Sequence, residues 1–300
     1  MVFLVPEVSI RAESAPCQRV TYEHSEYTVC EVDLRRQSIK LFWKKPDGHP
    51  YEYFSSLPRA LGNHSRRLLF ATNGGMYHPD NSPVGLYVEE GRELVRANTS
   101  AGPGNFHMRP NGVFYLSGDV AGILETGSFI KQKPQVEFAT QSGPMLVIDG
   151  EVNARFVRYG GSKKYRVAVG SRDRNLVVFA ISELEVSFGE FARLFRDKLR
   201  CKNALFLDGG SATSFYSPML GRSGNFLPLG PIIGVYESDA LPIPRWIVDG
   251  TENSGRSSAD CRSPAPAVAC LSRKATGDVV TCEAPGARAS WGLTGITMIT

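Results

Sequence analysis

Four junctions of polar residues with glycine carry whatever chemistry this chain performs. Asn73-Gly74-Gly75-Met76-Tyr77 follows an apolar run, Arg109-Pro110-Asn111-Gly112 precedes one, Gln141-Ser142-Gly143-Pro144 precedes another, and Asp208-Gly209-Gly210-Ser211-Ala212-Thr213 follows Leu205-Phe206-Leu207. Adjacent glycines let backbone N–H groups approach a ligand closely, and successive N–H groups in a turn form a nest for an anion. Ser142, Ser211 and Thr213 add hydroxyls, and Arg166 offers a forked cation suited to phosphate. The chemistry indicated is recognition of a phosphate or sugar phosphate. Asp208 is the leading carboxylate, because a buried strand before it and two glycines after it place it at the mouth of a site. Its plain alternative is an Asx-turn, as a surface ion pair is for Arg166 and a simple turn is for each glycine pair.

A glycosidase ordinarily uses two carboxylates, one protonating the leaving oxygen and the other acting as base or nucleophile. Glu89, Glu137 and Asp80 are candidates for the second, with no spacing that selects among them. A phosphodiester leaving group relaxes the requirement, since phosphate departs as a stable anion and needs charge neutralisation more than a proton. The histidines show no zinc-hydrolase spacing, and no G-x-S-x-G elbow accompanies a Ser-His-Asp set. No cofactor is called for; a divalent cation held by Asp208 and backbone carbonyls remains open.

The elements that must position these junctions are mostly short strands: 29–33, 38–42, 68–73, 85–88, 112–116, 136–139, 145–148, 167–170, 176–181, 205–207 and 230–236. The clearest helix spans 188–200, where Ser187 and Glu190 have capping-box spacing and Phe188, Phe191, Leu194, Phe195 and Leu199 share one face. A weaker helix covers 53–62. This pattern predicts an α+β fold, a large mixed or antiparallel sheet core with few helices, in one domain over 17–238. Cys17 and Cys30 suit a staple across a strand–turn–strand unit, which favours an oxidising compartment; a pair of buried free thiols is the alternative.

Composition bounds the rest. The chain has 300 residues with 42% hydrophobic and 21% charged, which excludes global disorder and a minimal disulfide knot. A net charge of +4 without long basic runs argues against a nucleic-acid partner. No apolar stretch is long enough for a membrane helix. Residues 1–16 read as a truncated secretory-signal remnant or a frayed terminus. Residues 239–300 are rich in Ala, Gly, Pro, Ser and Thr and carry no followable period, which predicts a disordered or foreign tail, read-through or frameshifted sequence included.

The junctions, in their order, resemble the phosphodiester glycosidase family, the group that contains the lysosomal uncovering enzyme, which removes N-acetylglucosamine from mannose-6-phosphate diesters. The matching stretches are Thr72 to Met76, Pro83 to Tyr87 with Gly91, Pro110 to Phe114, Gln141 to Leu146, Arg166 to Gly170 and Leu207 to Thr213. The resemblance is nearest to small secreted or periplasmic bacterial members. It implies hydrolysis of a sugar C1–O bond to a phosphodiester on an envelope or extracellular glycan. Asn73, Arg166 and Asp208 would be catalytic, and Gly74, Gly75, Asn111, Gln141, Ser142, Gly143, Gly209, Gly210, Ser211 and Thr213 would bind substrate. The family often has three glycines before the serine, where this chain has two. A non-catalytic module binding phosphorylated polysaccharide is the rival reading, and a structural protein whose motifs only build turns is the third.

Overall fold

The computed structural model describes residues 16–57, 68–158, 160–224 and 227–237, together with two short strands at 282–284 and 287–289. The expectations for residues 1–15, for most of the tail and for the end of the 53–62 helix lie outside the described residues. Residues Phe54–Ser56 form a single 3-10 turn.

Strands form where β-branched and aromatic residues alternate, and over residues 17–237 they build three sheets. The first has seven strands in the order β1 (Cys17–Tyr22), β2 (Ser25–Asp33), β13 (Leu176–Ser182), β12 (Arg166–Ser171), β14 (Asn203–Gly209), β10 (Met145–Ile148) and β11 (Glu151–Val152). The second orders β16 (Arg222–Gly224), β15 (Phe215–Ser217), β4 (Leu68–Asn73), β17 (Ile232–Glu237) and β3 (Gln37–Phe42). The third orders β6 (Arg92–Val95), β5 (Tyr87–Glu89), β9 (Phe138–Ser142), β7 (Gly112–Ser117) and β8 (Val120–Glu125). Neighbouring strands in all three run antiparallel, so the expected core sheet is divided rather than continuous, within the expected α+β class.

The division follows from apolar residues on both faces of the central strands. In β14, Leu205 and Leu207 join a core shared by all three sheets, with Phe70, Phe114, Phe179 and Ile233. Ala204 and Phe206 turn the other way, toward a second core under the helical segment. That segment begins as α2 (Phe188–Arg193), preceded in the chain by α1 (Thr126–Gln132), and continues as a π-helical turn over Leu194–Lys198. The capping box is present: Ser187 Oγ accepts from the Glu190 N–H, and the Glu190 carboxylate accepts from the Ser187 N–H.

At the free edge, Cys17 and Cys30 face each other across β1 and β2 and are joined by a disulfide. The two-residue turn between these strands is Glu23-His24, with φ of 44° and 66°. Such a turn ordinarily takes Asn-Gly, and two side chains in the left-handed region cost about 1 kcal/mol each. Arg193 on α2 forks onto the Glu23 carboxylate at 2.6–3.1 Å and anchors the turn.

The chain divides into two units, 1–243 and 244–300. In the second, β18 (Cys282–Ala284) and β19 (Ala287–Ala289) pair antiparallel.

Candidate active site

The four junctions meet at one rim, and the glycines show why. A Cβ on Gly75 would lie 2.5 Å from the Gln141 carbonyl oxygen and 2.5 Å from Thr140 Oγ1, so the segment following Asn73 passes β9 at this distance only as glycine. A Cβ on Gly143 would lie 2.6 Å from the Asn111 Cβ, which joins the second junction to the third. The Ser142 hydroxyl donates to the Leu207 carbonyl, and the Phe206 N–H donates to the Pro144 carbonyl at 3.1 Å, which joins the third to the fourth. The Ser214 N–H donates to Asn73 Oδ1 at 3.1 Å, closing the circle. Gly74 completes the first junction by donating its N–H to the Pro231 carbonyl at 2.7 Å.

Asp208 sits in an irregularity of the central ladder. Arg166 pairs with Gly209 and Ala168 with Phe206, so β14 carries one more residue than β12 between these pairs. A bulge of this kind re-aims a side chain out of the sheet pattern. Asp208 is half-buried and accepts the Gly209 N–H at 2.7 Å. Burial pushes its carboxyl up to about 6, partly opposed by that hydrogen bond. Burial together with the Asp208 charge lifts the Tyr77 phenol to about 12, which places that ring within the field of the carboxylate. Tyr77 in turn donates to the Pro228 carbonyl at 3.1 Å.

The remaining side chains separate into two groups. Gln141 is buried and uses its whole amide inside the chain: Oε1 accepts from the Leu86 and Asn98 N–H groups, and Nε2 donates to the Asn98 carbonyl and to Thr126 Oγ1. Asn111 is likewise enclosed, accepting from Arg109 and Thr126 and donating to the Phe106 carbonyl. By contrast, Asn73 Nδ2 and the hydroxyls of Thr213 and Thr140 are buried without a hydrogen-bond partner. A buried donor left unmatched is unusual and marks a place where a ligand can supply the acceptor. Ser211 is exposed beside them, and the Gly210 N–H donates to the Tyr165 carbonyl at 2.8 Å.

Arg166 is 2% exposed. Its guanidinium donates to the carbonyls of Val186 (2.8 Å) and Ser162 (3.0 Å) and stacks 3.6 Å over the Phe188 ring. Burial lowers it to about 10, against the opposing charge of Glu190. Among the alternative carboxylates, Glu89 accepts from the Tyr87 hydroxyl at 2.7 Å and Asp80 accepts from Ser82 in an exposed turn. Among the described residues no group of three His, Cys, Asp or Glu side chains could hold a metal ion, and no helix is long and apolar enough to cross a membrane.

Sequence reasoning quoted Tyr77 within its motif but gave it no role, and it passed over Thr140. Thr140 lies in β9 beside Gln141, and Tyr77 follows the first glycine pair; nearness in sequence to Gln141 and Asn73 was the signal that could have marked them.

Residues 66–236, which hold all four junctions, match the model of the family described as phosphodiester glycosidase. The chain is 34% identical over 206 residues to the uncharacterized protein YigE of Escherichia coli (strain K12), covering 69% of this chain and 79% of that protein. Its fold is similar to the catalytic domain of zebrafish N-acetylglucosamine-1-phosphodiester alpha-N-acetylglucosaminidase auto-inhibited by its pro-peptide, with a TM-score of 0.52, 16% identity, and coverage of 74% of this chain and 82% of that one. The family match spans more than half of the chain, and the chain belongs to the phosphodiester glycosidase family.

Proposed function

We propose that the protein hydrolyses the C1–O bond of a sugar-1-phosphodiester, N-acetylglucosamine phosphodiesters among the first to try, on an envelope or extracellular glycan. The observation that carries this reading is the half-buried Asp208, raised by burial and set in a bulge where four glycine junctions meet beside the unmatched donors of Asn73 and Thr213. The Asp208 carboxylate attacks or stabilises the anomeric carbon as the C1–O bond breaks. The bonding pair leaves with the phosphate oxygen, and water then supplies hydroxyl to C1 and a proton to balance the products. Asn73 Nδ2 and Thr213 Oγ1 donate to the sugar or phosphate oxygens. Gln141, Asn111 and Ser142 hold the loops, and Arg166 acts from behind the rim as a fixed buried cation rather than by direct contact. The Cys17–Cys30 disulfide supports an oxidising, periplasmic or extracellular, location.

The test is product release by the full chain from a panel of α- and β-glycosyl-1-phosphodiesters. Free sugar and phosphomonoester, lost with Asp208→Asn, are the expected result. Saturable binding without product from any member would replace the hydrolase with a binding module.

A further inference from the structure

Asp208 has two unlike neighbourhoods. Toward β4 and β15 stand Asn73 Nδ2 and Thr213 Oγ1, buried donors without a partner. Toward β12 lies Tyr165, whose carbonyl accepts the Gly210 N–H at 2.8 Å. A Cβ on Gly209 would lie 2.7 Å from that same carbonyl oxygen and 2.9 Å from Phe206 Cζ, so the residue after Asp208 rests directly on this second flank.

The β12 flank is apolar and open. Val157, Tyr165 and Leu184 are 71%, 44% and 50% exposed, and Phe156 and Phe188 are half-buried and stacked, their ring centroids 5.2 Å apart. The stretch 184–189 gathers them. Lys164 and Val186 exchange backbone hydrogen bonds at 3.0–3.1 Å, which lays the chain at Tyr165 beside residues 184–186, and a Cβ on Gly189 would collide with the Val157 carbonyl oxygen. Phe188 in turn meets Phe206 edge-on at 4.9 Å, which carries the apolar surface back to Gly209. Exposed apolar side chains scattered singly are ordinary, whereas a group gathered beside one site marks a surface that something covers.

The polar groups of this flank are already matched inside the fold. The Arg166 guanidinium donates to the Val186 and Ser162 carbonyls, Lys163 pairs with Glu190 at 3.2 Å, and Ser187 and Glu190 close the capping box. Among the described residues, none of the buried side-chain polar atoms without a partner belongs to 156–166 or 184–189. Exposed charges of both signs border the flank, Arg155 and Lys164 with Glu185, and the surface between them offers apolar contact. A phosphodiester has two organic ends, and the two neighbourhoods suit different ones: a sugar needs hydrogen-bonding groups, whereas an apolar alcohol needs a surface from which its contact releases water.

We infer that the flank formed by Val157, Tyr165, Leu184 and the Phe156–Phe188 stack receives the alcohol on the far side of the substrate's phosphorus, and that this alcohol is a long-chain, lipid-like one. The inference rests on the proposed hydrolysis and deepens it: the sugar phosphate cleaved is that of a lipid-linked saccharide. The sugar lies against Asn73 and Thr213 with its anomeric carbon at Asp208, and the alkyl chain runs over the apolar flank. Water adds hydroxyl to C1, and the products are free sugar and an alkyl phosphomonoester.

Two measurements on the full chain test this. Titration with octyl phosphate and with methyl phosphate, followed calorimetrically below the micelle concentration, needs no turnover. Octyl phosphate is expected to bind about tenfold more tightly, the worth of burying roughly two methylene groups, and the preference is expected to vanish in the double variant Val157→Ser, Leu184→Ser. Both positions are exposed, so the variant folds, and neither touches the reacting sugar. With the octyl and methyl esters of N-acetylglucosamine 1-phosphate as substrates, kcat/KM is expected to favour the octyl ester by the same factor in the wild type and not at all in the variant, turnover of the methyl ester being unchanged. Octyl phosphate bound no more tightly than methyl phosphate, or a preference indifferent to the variant, would overturn the site. A preference in binding that needs Val157 and Leu184, with equal kcat/KM for the two esters, would overturn the substrate assignment. Sedimentation as a dimer that the variant dissolves, with no octyl preference, would give the surface to a second copy of the chain instead. Octyl preference without turnover of either ester would overturn the hydrolase reading and leave the apolar site standing.

Discussion

Gln141 and Asn73 are both buried amides at the edge of a glycine junction, yet the molecule treats them oppositely. Gln141 has every hydrogen-bonding position of its amide occupied by Leu86, Asn98 and Thr126, while Asn73 uses its oxygen on Ser214 and leaves its nitrogen without a partner. An unmatched buried donor costs about 1–3 kcal/mol, so a fold selected for stability alone would have paired it. The contrast separates a side chain that builds the rim from one that faces what the rim receives.

The sharpest way to break this comparison is at the carboxylate of the same rim, Asp208. Asp208→Asn is expected to lower kcat by about three orders of magnitude, the middle of the range for removing a group that acts on the reacting atoms, while far-UV circular dichroism stays that of the wild type. Near-wild-type turnover in the variant would remove Asp208 from the chemistry.

Gln141→Ala comes next and reads out on stability. It strips acceptors from the Leu86 and Asn98 N–H groups and a donor from the Asn98 carbonyl, and a loss of about 3 kcal/mol in urea unfolding is expected. A variant as stable as the wild type but with a raised KM would instead place Gln141 on the substrate, where the sequence first set it.

Asn73→Asp is the mirror of that experiment. The acceptor for the Ser214 N–H is kept and the unmatched donor is lost, but a carboxyl now stands at a fully buried position, so unfolding at pH 7 should become easier by about 1–3 kcal/mol and recover as falling pH protonates the new group, while kcat/KM falls about 30-fold, the worth of a hydrogen bond to a charged oxygen. A stability loss that persists at low pH would make Asn73 another structural amide.

How much of this was legible beforehand follows the same division. Most of the longer strands and the capping box at Ser187 could be read, because alternation and cap spacing are local, whereas β6, β8, β15, β16 and helix α1 were not expected. The Cys17–Cys30 pairing across a hairpin was also local. The convergence of the four junctions was signalled by their repeated form, but the division of one sheet into three was not: β14 presents Leu205 and Leu207 to one core and Ala204 and Phe206 to another, and an apolar run does not say what covers each face. Nor could composition tell the roles of Gln141 and Asn73 apart, since the difference lies in which distant backbone groups come within reach. Arg166 looked like a phosphate ligand in sequence; its stacking on Phe188 and bonds to Val186 and Ser162 depend on contacts that spacing does not encode.

The smallest expected effect concerns the cost of holding Asp208 ready. Its folded pKa of about 6 stands above the unfolded value of 3.8, so the folded state holds the proton more tightly. Stability is therefore greatest below the unfolded value and is lost as pH rises between the two, after which an ionised carboxylate sits half-buried. Removing that charge should help: Asp208→Asn, inactive, is expected to be more stable than the wild type by about 1–2 kcal/mol at pH 7 and by nothing at pH 3.5, measured as unfolding midpoints across pH. In the wild type kcat/KM should rise with pH through about 6 and then level, since the reaction needs the carboxylate. A fall above 6 would turn Asp208 into a proton donor. A stability gain independent of pH would mean that the desolvated charge is not what the site maintains at the expense of the fold.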